Sequence, residues 1–247
     1  MIIHSYENGL RADSCIEYIR ETKIADAIER LILLPIPSTR DKITILNTKV
    51  YISDVLDVID GKTVISGYGL PEAFVQEAAD RGACVLDLSE DEEFLLANAD
   101  LTAVCALGVI LNSVRCAPGD MRIGVVGYGR IGKRLTEIFL YFGSFVRVFS
   151  SRSDTRLDLG ECGVASSVSS GDADLSGLDI LINTAPARIF DPAVIPRELR
   201  IIDLASGDNF PGVEGVEKYP SVPARMFPES AGREWGRAIE RYLVNNL

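Results

Sequence analysis

The chain has 247 residues, 47% of them apolar and 25% charged, the balance of an ordinary globular protein holding one large domain or two modest ones. Lys and Arg total 25 against 36 Asp and Glu, giving a formal charge of −11. A surface this acidic repels polyphosphate and anionic lipid, so neither nucleic acid nor a membrane is expected as a partner. An anionic ligand would have to be held by a local device, such as backbone amides or a few placed arginines.

Cysteines stand at Cys15, Cys84, Cys105, Cys116 and Cys162, an odd number with wide spacing and no CxxC pair. Neither a disulfide framework nor a metal site is expected from them, and a reducing, cytoplasmic compartment suits them. The first residues show no basic segment followed by an apolar one, so no signal peptide is expected. The longest apolar stretch, from Leu101 to Val114, falls short of a membrane span. His4 is the only histidine, which disfavours mechanisms built on an interior histidine as acid, base or metal ligand.

In chain order, helix and strand signals alternate, the pattern of an α/β protein with parallel sheets. The opening residues read as helix-like rather than as a strand. Asp13 is placed to cap a helix from Ser14 to about Glu29, with Ile16, Ile19, Ile24, Ala27 and Ile28 on one face. Leu31–Leu34 reads as a buried strand stopped by Pro35 and Pro37. Thr63–Ser66 is a second strand; Pro71 then opens a helix to Ala79, and Cys84–Leu88 is a third strand. A helical stretch runs from about Asp91 towards Arg115 and ends at Pro118-Gly119-Asp120. The domain division is placed at 105/106, with a dinucleotide-binding domain over 106–225. Residues 226–247 form a last helix, from about Ser230 to Val244, returning to the N-terminal domain.

Arg122–Val126 is a strand followed at once by Gly127-Tyr128-Gly129-Arg130-Ile131-Gly132 and an amphipathic helix to about Phe142, with a next strand over Phe145–Phe149. A lone GxGxxG is weak, but strand, glycines and helix within a βαβ unit of about 30 residues are the context the motif requires. Gly127 allows the tight turn, Gly129 lets the backbone approach a pyrophosphate, and Gly132 permits close helix–strand packing. Amides at the helix N-terminus then hold the phosphates. The bland alternative is a glycine turn with no nucleotide.

An NAD site carries an acid about 20 residues on, for the ribose 2′-hydroxyl. Ser150-Ser151-Arg152-Ser153 stands there instead, and hydroxyls with a guanidinium suit a 2′-phosphate. NADP is therefore the expected cofactor, with NAD the alternative if Arg152 merely pairs with Asp154. Strands at Asp179–Ile182 and Arg200–Ile202 lead into Asn183-Thr184-Ala185-Pro186 and Asp203-Leu204-Ala205-Ser206, loops expected to border the nicotinamide half. Asp203 has a second reading as a cap.

On these motifs the chain resembles the A subunit of dipicolinate synthase, a family related in fold to the D-2-hydroxyacid dehydrogenases. The resemblance takes in the glycine loop, the Ser-Arg-Ser segment, Ile182–Pro186, Asp203–Ser206, and the Pro228-Glu229-Ser230-Ala231-Gly232 run. It extends through Leu34-Pro35, Ile65-Ser66-Gly67 and Glu90–Thr102 with Asn98. It implies a Rossmann doubly wound sheet beside a smaller, flavodoxin-like N-terminal α/β domain. It also implies NADP(H)-dependent oxidoreduction of a small anionic substrate in an interdomain cleft, and a flavoprotein-like partner. A homodimer follows from the same fold analogy. On the substrate side the expected catalytic candidates are Ser66, Asn98, Thr102, Ser206 and Ser230, with Arg188 or Arg225 as carboxylate clamps; Arg188 has a plainer reading as a partner of Asp191. Val104 and Glu229 depart from the family, standing where it carries a carboxylate and a lysine. The opening βα unit of the family is read as missing. The alternative is a dinucleotide-binding subunit, regulatory or partner-dependent, without turnover of its own.

Overall fold

Runs of three or four aliphatic residues become strands here because both faces of each sheet are covered. The computed structural model describes residues 1–150, 164–167 and 174–246. Strands β1 (Ile2–Ser5), β2 (Arg30–Leu33), β3 (Thr63–Gly67) and β4 (Cys84–Asp87) form a four-stranded parallel sheet in chain order. Leu31 and Leu33 face one core with Ile19, Trp235 and Ile239, while Ile32 and Leu34 face another with Val55, Ile65 and Phe74. That alternation is the period of two expected of a strand buried on both sides.

Two readings of the N-terminus need correction. The chain opens with β1, paired in parallel to β2 from Ile2↔Arg30 to Ser5↔Leu33, so a βα unit does begin it. A four-residue strand ending in His4 and Ser5, at the sheet edge and half exposed, leaves too few apolar residues for its period to be read. The first helix, α1, spans Leu10–Glu21 with Gly9 as its N-cap, so Asp13 lies within its first turn instead of capping it. Thr22 ends α1 in an extended conformation, and a separate 3-10 helix, Lys23–Ala27, supplies the rest of the apolar set that looked like one long helix.

Next come a 3-10 helix over Ile52–Val58, α2 (Glu72–Asp80) and α3 (Glu92–Leu111). The apolar stretch beginning at Leu101 proves to be the second half of this longer helix. With 20 residues and a mean hydropathy of 2.0, α3 is long and apolar enough to cross a membrane by length and composition alone. Core helices of soluble proteins pass the same test, and Ala103, Cys105, Ala106 and Ile110 are buried in a core with Ile123 and Val146.

A six-stranded parallel sheet follows. Its strands β5 (Arg122–Val126), β6 (Phe145–Ser150), β7 (Val164–Ser167), β8 (Ile180–Asn183), β9 (Arg200–Asp203) and β10 (Glu217–Lys218) lie in the order β10-β9-β8-β5-β6-β7. The order reverses between β5 and β8, the topological switch point of a doubly wound sheet. Helix α4 (Arg130–Tyr141) buries Gly132, Leu135, Thr136 and Phe139, the i, i+3, i+4, i+7 stripe of an amphipathic helix. Strands β7 and β10 and the short helix α5 (Val222–Met226) carry too little pattern to be read from sequence.

By its internal contacts the chain divides into Met1–Asn98 with Phe227–Leu247, and Ala99–Met226, where the sequence leads one to expect divisions at 105/106 and 225/226. The last helix, α6 (Pro228–Asn246), belongs to the first unit and packs on α1. Gly232 and Gly236 make this approach possible. A Cβ at Gly232 would lie 2.7 Å from Ser14 Cβ, and one at Gly236 would lie 2.6 Å from the Tyr18 ring.

Candidate functional site

The switch point is built around three glycines with three different reasons for lacking a side chain. Gly127 has φ +87°, a left-handed conformation, and a Cβ there would sit 2.8 Å from Thr184 Oγ1. At Gly132 a Cβ would overlap the Gly127 carbonyl oxygen and lie 2.9 Å from its carbon, so the first turn of α4 rests directly on the end of β5. Gly129 is different. Its φ is −84°, open to any residue, and a Cβ there would meet nothing within 4 Å among the described residues.

Among the described residues, neither backbone conformation nor packing calls for glycine at 129. Gly129 is also the N-cap of α4, and having no side chain it makes no cap hydrogen bond there. The amides of the first turn have no carbonyl partners within the helix and carry its positive partial charge. A glycine at the N-cap of a helix, at the switch point of a doubly wound sheet, fits a dinucleotide pyrophosphate.

The residues of the loop have defined places. Arg130 is exposed, Ile131 is half-buried, and Lys133 Nζ stands 5.2 Å from the centre of the Tyr128 ring. The facing loop after β8 is clamped to the glycine loop: Thr184 Oγ1 donates to the Val126 carbonyl at 2.8 Å, and the Thr184 amide donates to the same oxygen at 2.9 Å. Ala185 is half-buried and Pro186 exposed. Ser150 is buried at the end of β6, opposite Ser167 of β7. Ser151, Arg152 and Ser153 lie outside the described residues, as does Asp154.

At the ends of β8 and β9 the structure brings Asn183 and Asp203 together. Asn183 Nδ2 donates to Asp203 Oδ1 at 2.8 Å and to the Ala185 carbonyl at 3.0 Å. Asn209 Nδ2 reaches both Asp203 oxygens, at 3.3 and 3.2 Å, and the Ala205 amide donates to Oδ1 at 3.2 Å. All three side chains are buried, so the group ties the loops after β8 and β9 to each other. Asn209 was missed from sequence; the polar run Ser206–Asn209 just beyond a strand end was the available signal.

The substrate-side candidates fall in separate places. Ser66 is fully buried and its Oγ accepts from Trp235 Nε1 at 2.8 Å, so this hydroxyl braces α6 against β3. Thr102 is buried and Asn98 half-buried, both on α3; Ser206 and Ser230 are exposed. Arg188 and Arg225 are exposed, and neither has an ion-pair partner among the described residues. The Arg188–Asp191 pair read from sequence does not form. Asp191 instead accepts from the Ala193 amide at 2.9 Å and caps the 3-10 helix Pro192–Val194, the nearer and better-aligned use of that carboxylate.

No protein-family model matches the chain, and no curated protein matches its sequence. Solved structures do match it. The A chain of dipicolinate synthase from Bacillus halodurans superposes with a TM-score of 0.75 at 20% identity, over 98% of this chain and 96% of that one. Its counterpart in the dipicolinate synthase of Bacillus subtilis gives a TM-score of 0.76 at 18% identity, over 99% and 95%. This is a Rossmann-like α/β fold. An NAD-complexed D-isomer specific 2-hydroxyacid dehydrogenase from Lactobacillus delbrueckii ssp. bulgaricus shares the fold at a TM-score of 0.56 and 10% identity, over 99% and 96%. Across all three the likeness spans both sheets, well beyond the glycine loop.

Proposed function

We propose that the protein is an oxidoreductase that binds a nicotinamide dinucleotide, NADP(H) in preference to NAD(H), and acts on a small anionic substrate. The observation that carries the reading is Gly129, a glycine that neither its backbone conformation nor the described residues around it require, at the N-terminus of α4. The likeness to the dipicolinate synthase proteins and to an NAD-complexed dehydrogenase supports it. Once bound, the dinucleotide supplies hydride chemistry. The chain's part is to orient it: amides of Arg130, Ile131 and Gly132 take the pyrophosphate, and the Asn183–Asp203–Asn209 group fixes the loops beside the nicotinamide. Arg188 and Arg225, exposed and without ion-pair partners among the described residues, are the groups that attract a carboxylate. Such a protein works in solution, with the apolar α3 as a core helix.

Arg152, flanked by Ser151 and Ser153, is the residue assigned to the 2′-phosphate. A charge-assisted hydrogen bond is worth about 1.5–3 kcal/mol, roughly tenfold to a hundredfold in affinity. Calorimetric titration should find NADPH bound that much more tightly than NADH, and Arg152→Asp should reverse the order. Equal or tighter NADH binding by the natural protein would leave the dinucleotide site standing and overturn the NADP assignment.

A dinucleotide-binding protein that turns over only with a partner, such as a flavoprotein-like one, is the second reading. Two observations favour it. The one histidine, His4, lies in β1 of the four-stranded sheet, and the Ser66 hydroxyl is committed to Trp235. Tight NADPH binding without NADPH oxidation by any small 2-oxo or cyclic carboxylate would decide for it.

A further inference from the structure

The two edges of the four-stranded sheet differ. At β4, Tyr242 of α6 lies against Cys84 and the backbone of Val85. At β1 no strand among the described residues pairs with the open side. The Ile2 and Tyr6 amides donate inward, to the Glu29 and Leu33 carbonyls at 2.6 and 2.9 Å. By the alternation of a strand, the amides and carbonyls of Ile3 and Ser5 then point away from the sheet. Natural edges are guarded by lysine, proline, a bulge or an inward charge. Ile2-Ile3-His4-Ser5 holds none of these, and its register with β2 is unbroken. Along this edge, between β1 and α1, runs a groove of about 530 Å³. Ile3 and Ile16 are its apolar part, and Asp13, Glu17, Arg20 and Glu21, on successive turns of α1, line the rest. Three carboxylates against one guanidinium leave it acidic, and none of the four is in an ion pair among the described residues.

We propose that the β1 edge docks an extended, basic segment of a partner protein, which joins the sheet as a further strand. Backbone bonds to Ile3 and Ser5 supply the pairing, and the groove supplies the choice of side chains. On the face towards α1, one residue of the incoming strand rests on Ile3 and Ile16 and has to be apolar. Its neighbours two positions away on either side meet the carboxylates. The spacing agrees: Asp13 and Glu21 are eight residues apart on α1, about 12 Å along the helix, and strand positions i and i+4 are about 13 Å apart. The occupant therefore reads basic-x-apolar-x-basic. A second copy of this chain does not suit the edge, because it would bring an identical acidic groove against this one. With only four residues in β1, few backbone bonds form, so charge has to do the selecting. The proposal stands apart from the dinucleotide reading, since β1 and α1 belong to the first unit and the glycine loop to the second.

The probe is a fluorescently labelled peptide, N-acetyl-Lys-Thr-Val-Thr-Lys-amide, titrated into the full chain and followed by anisotropy. It should bind with a dissociation constant below about 1 mM, weaken as salt is raised, and slow hydrogen exchange at the Ile3 and Ser5 amides. Glu17→Lys, at an exposed position, should weaken binding by at least about tenfold. Ser5→Pro, which removes an outward amide and no ladder bond, should weaken it by as much or more. Circular dichroism of each variant should match the natural protein, and if Ser5→Pro does not fold, Glu17→Lys decides. No binding up to millimolar peptide overturns the proposal. So does equal binding of N-acetyl-Glu-Thr-Val-Thr-Glu-amide, or unchanged exchange at Ile3 and Ser5. A chain that dimerises, and stops doing so in Ser5→Pro, would also overturn it by making a second copy the occupant.

Discussion

The two sheets end their strands in opposite ways. Beyond β5 of the six-stranded sheet the backbone is left open among the described residues: a Cβ at Gly129 would meet none of their atoms within 4 Å, and this N-cap residue has no side chain to cap α4. Beyond β3 and β4 of the four-stranded sheet the polar groups are used up by one another. Asp87 takes the amides of Gly69 and Leu70 at 2.8 and 2.7 Å, Ser38 Oγ accepts from the Tyr68 amide at 2.7 Å, and Ser66 accepts from Trp235. A serine at a strand end therefore says little by itself. What marks a ligand site is polar backbone or open space that the chain does not consume.

The largest effect expected from this contrast is at Gly132. Gly132→Ala drives a methyl into the Gly127 carbonyl, a clash with backbone that no rotamer relieves, and should cost about 3 kcal/mol or more. A thermal midpoint unchanged in the variant would mean that α4 does not rest on the end of β5. On the other sheet, Ser66→Ala leaves the buried Trp235 Nε1 without its acceptor and should cost about 1–3 kcal/mol, with dinucleotide affinity unchanged. Full stability with turnover lost would reverse the comparison and return Ser66 to the catalytic set.

A smaller effect sharpens the picture of the six-stranded sheet's edge. Arg200 grips Glu217 through Nε at 2.5 Å and Nη2 at 2.9 Å, joining β9 to β10. The bond from Arg200, the leading cause, lowers the Glu217 pKa below its ordinary value, and Tyr219 adds to it. The folded form thus binds its proton later than the unfolded one. The stabilisation is complete above the ordinary carboxylate range and is lost as pH falls through the lowered folded value. The pair is partly exposed, so Glu217→Gln should cost under about 1 kcal/mol at neutral pH and nothing in strong acid. Melting curves against pH check this; a cost that grows on acidification would contradict it.

The glycine loop was legible because one motif carries turn, approach and packing within six residues, and because β5 and α4 flank it with clean periods of two and 3.6. The strand ends were legible as places and less so as roles. That Asn183 and Asp203 would meet follows from the adjacency of β8 and β9. That Asn209 would join them depends on how the chain turns after Ser206, which no short pattern encodes. Ser66 looked like a site residue because its partner, Trp235, stands 169 positions away in sequence. β1 escaped notice for a simpler reason: four half-exposed residues at a sheet edge carry no period.

The central claim is that the space at Gly129 belongs to a dinucleotide, and Gly129→Val tests it most directly. The backbone there accepts any residue and no atom of the described residues lies within 4 Å of the new Cβ, so the variant should fold and melt as the natural protein does. Its branched side chain would occupy the place of the pyrophosphate. Calorimetric titration with NADPH should yield a measurable affinity for the natural protein and one weaker by at least about a hundredfold, roughly 2.8 kcal/mol, for the variant. Undiminished NADPH binding in a normally folded Gly129→Val protein would contradict the account and reduce the glycine loop to a turn.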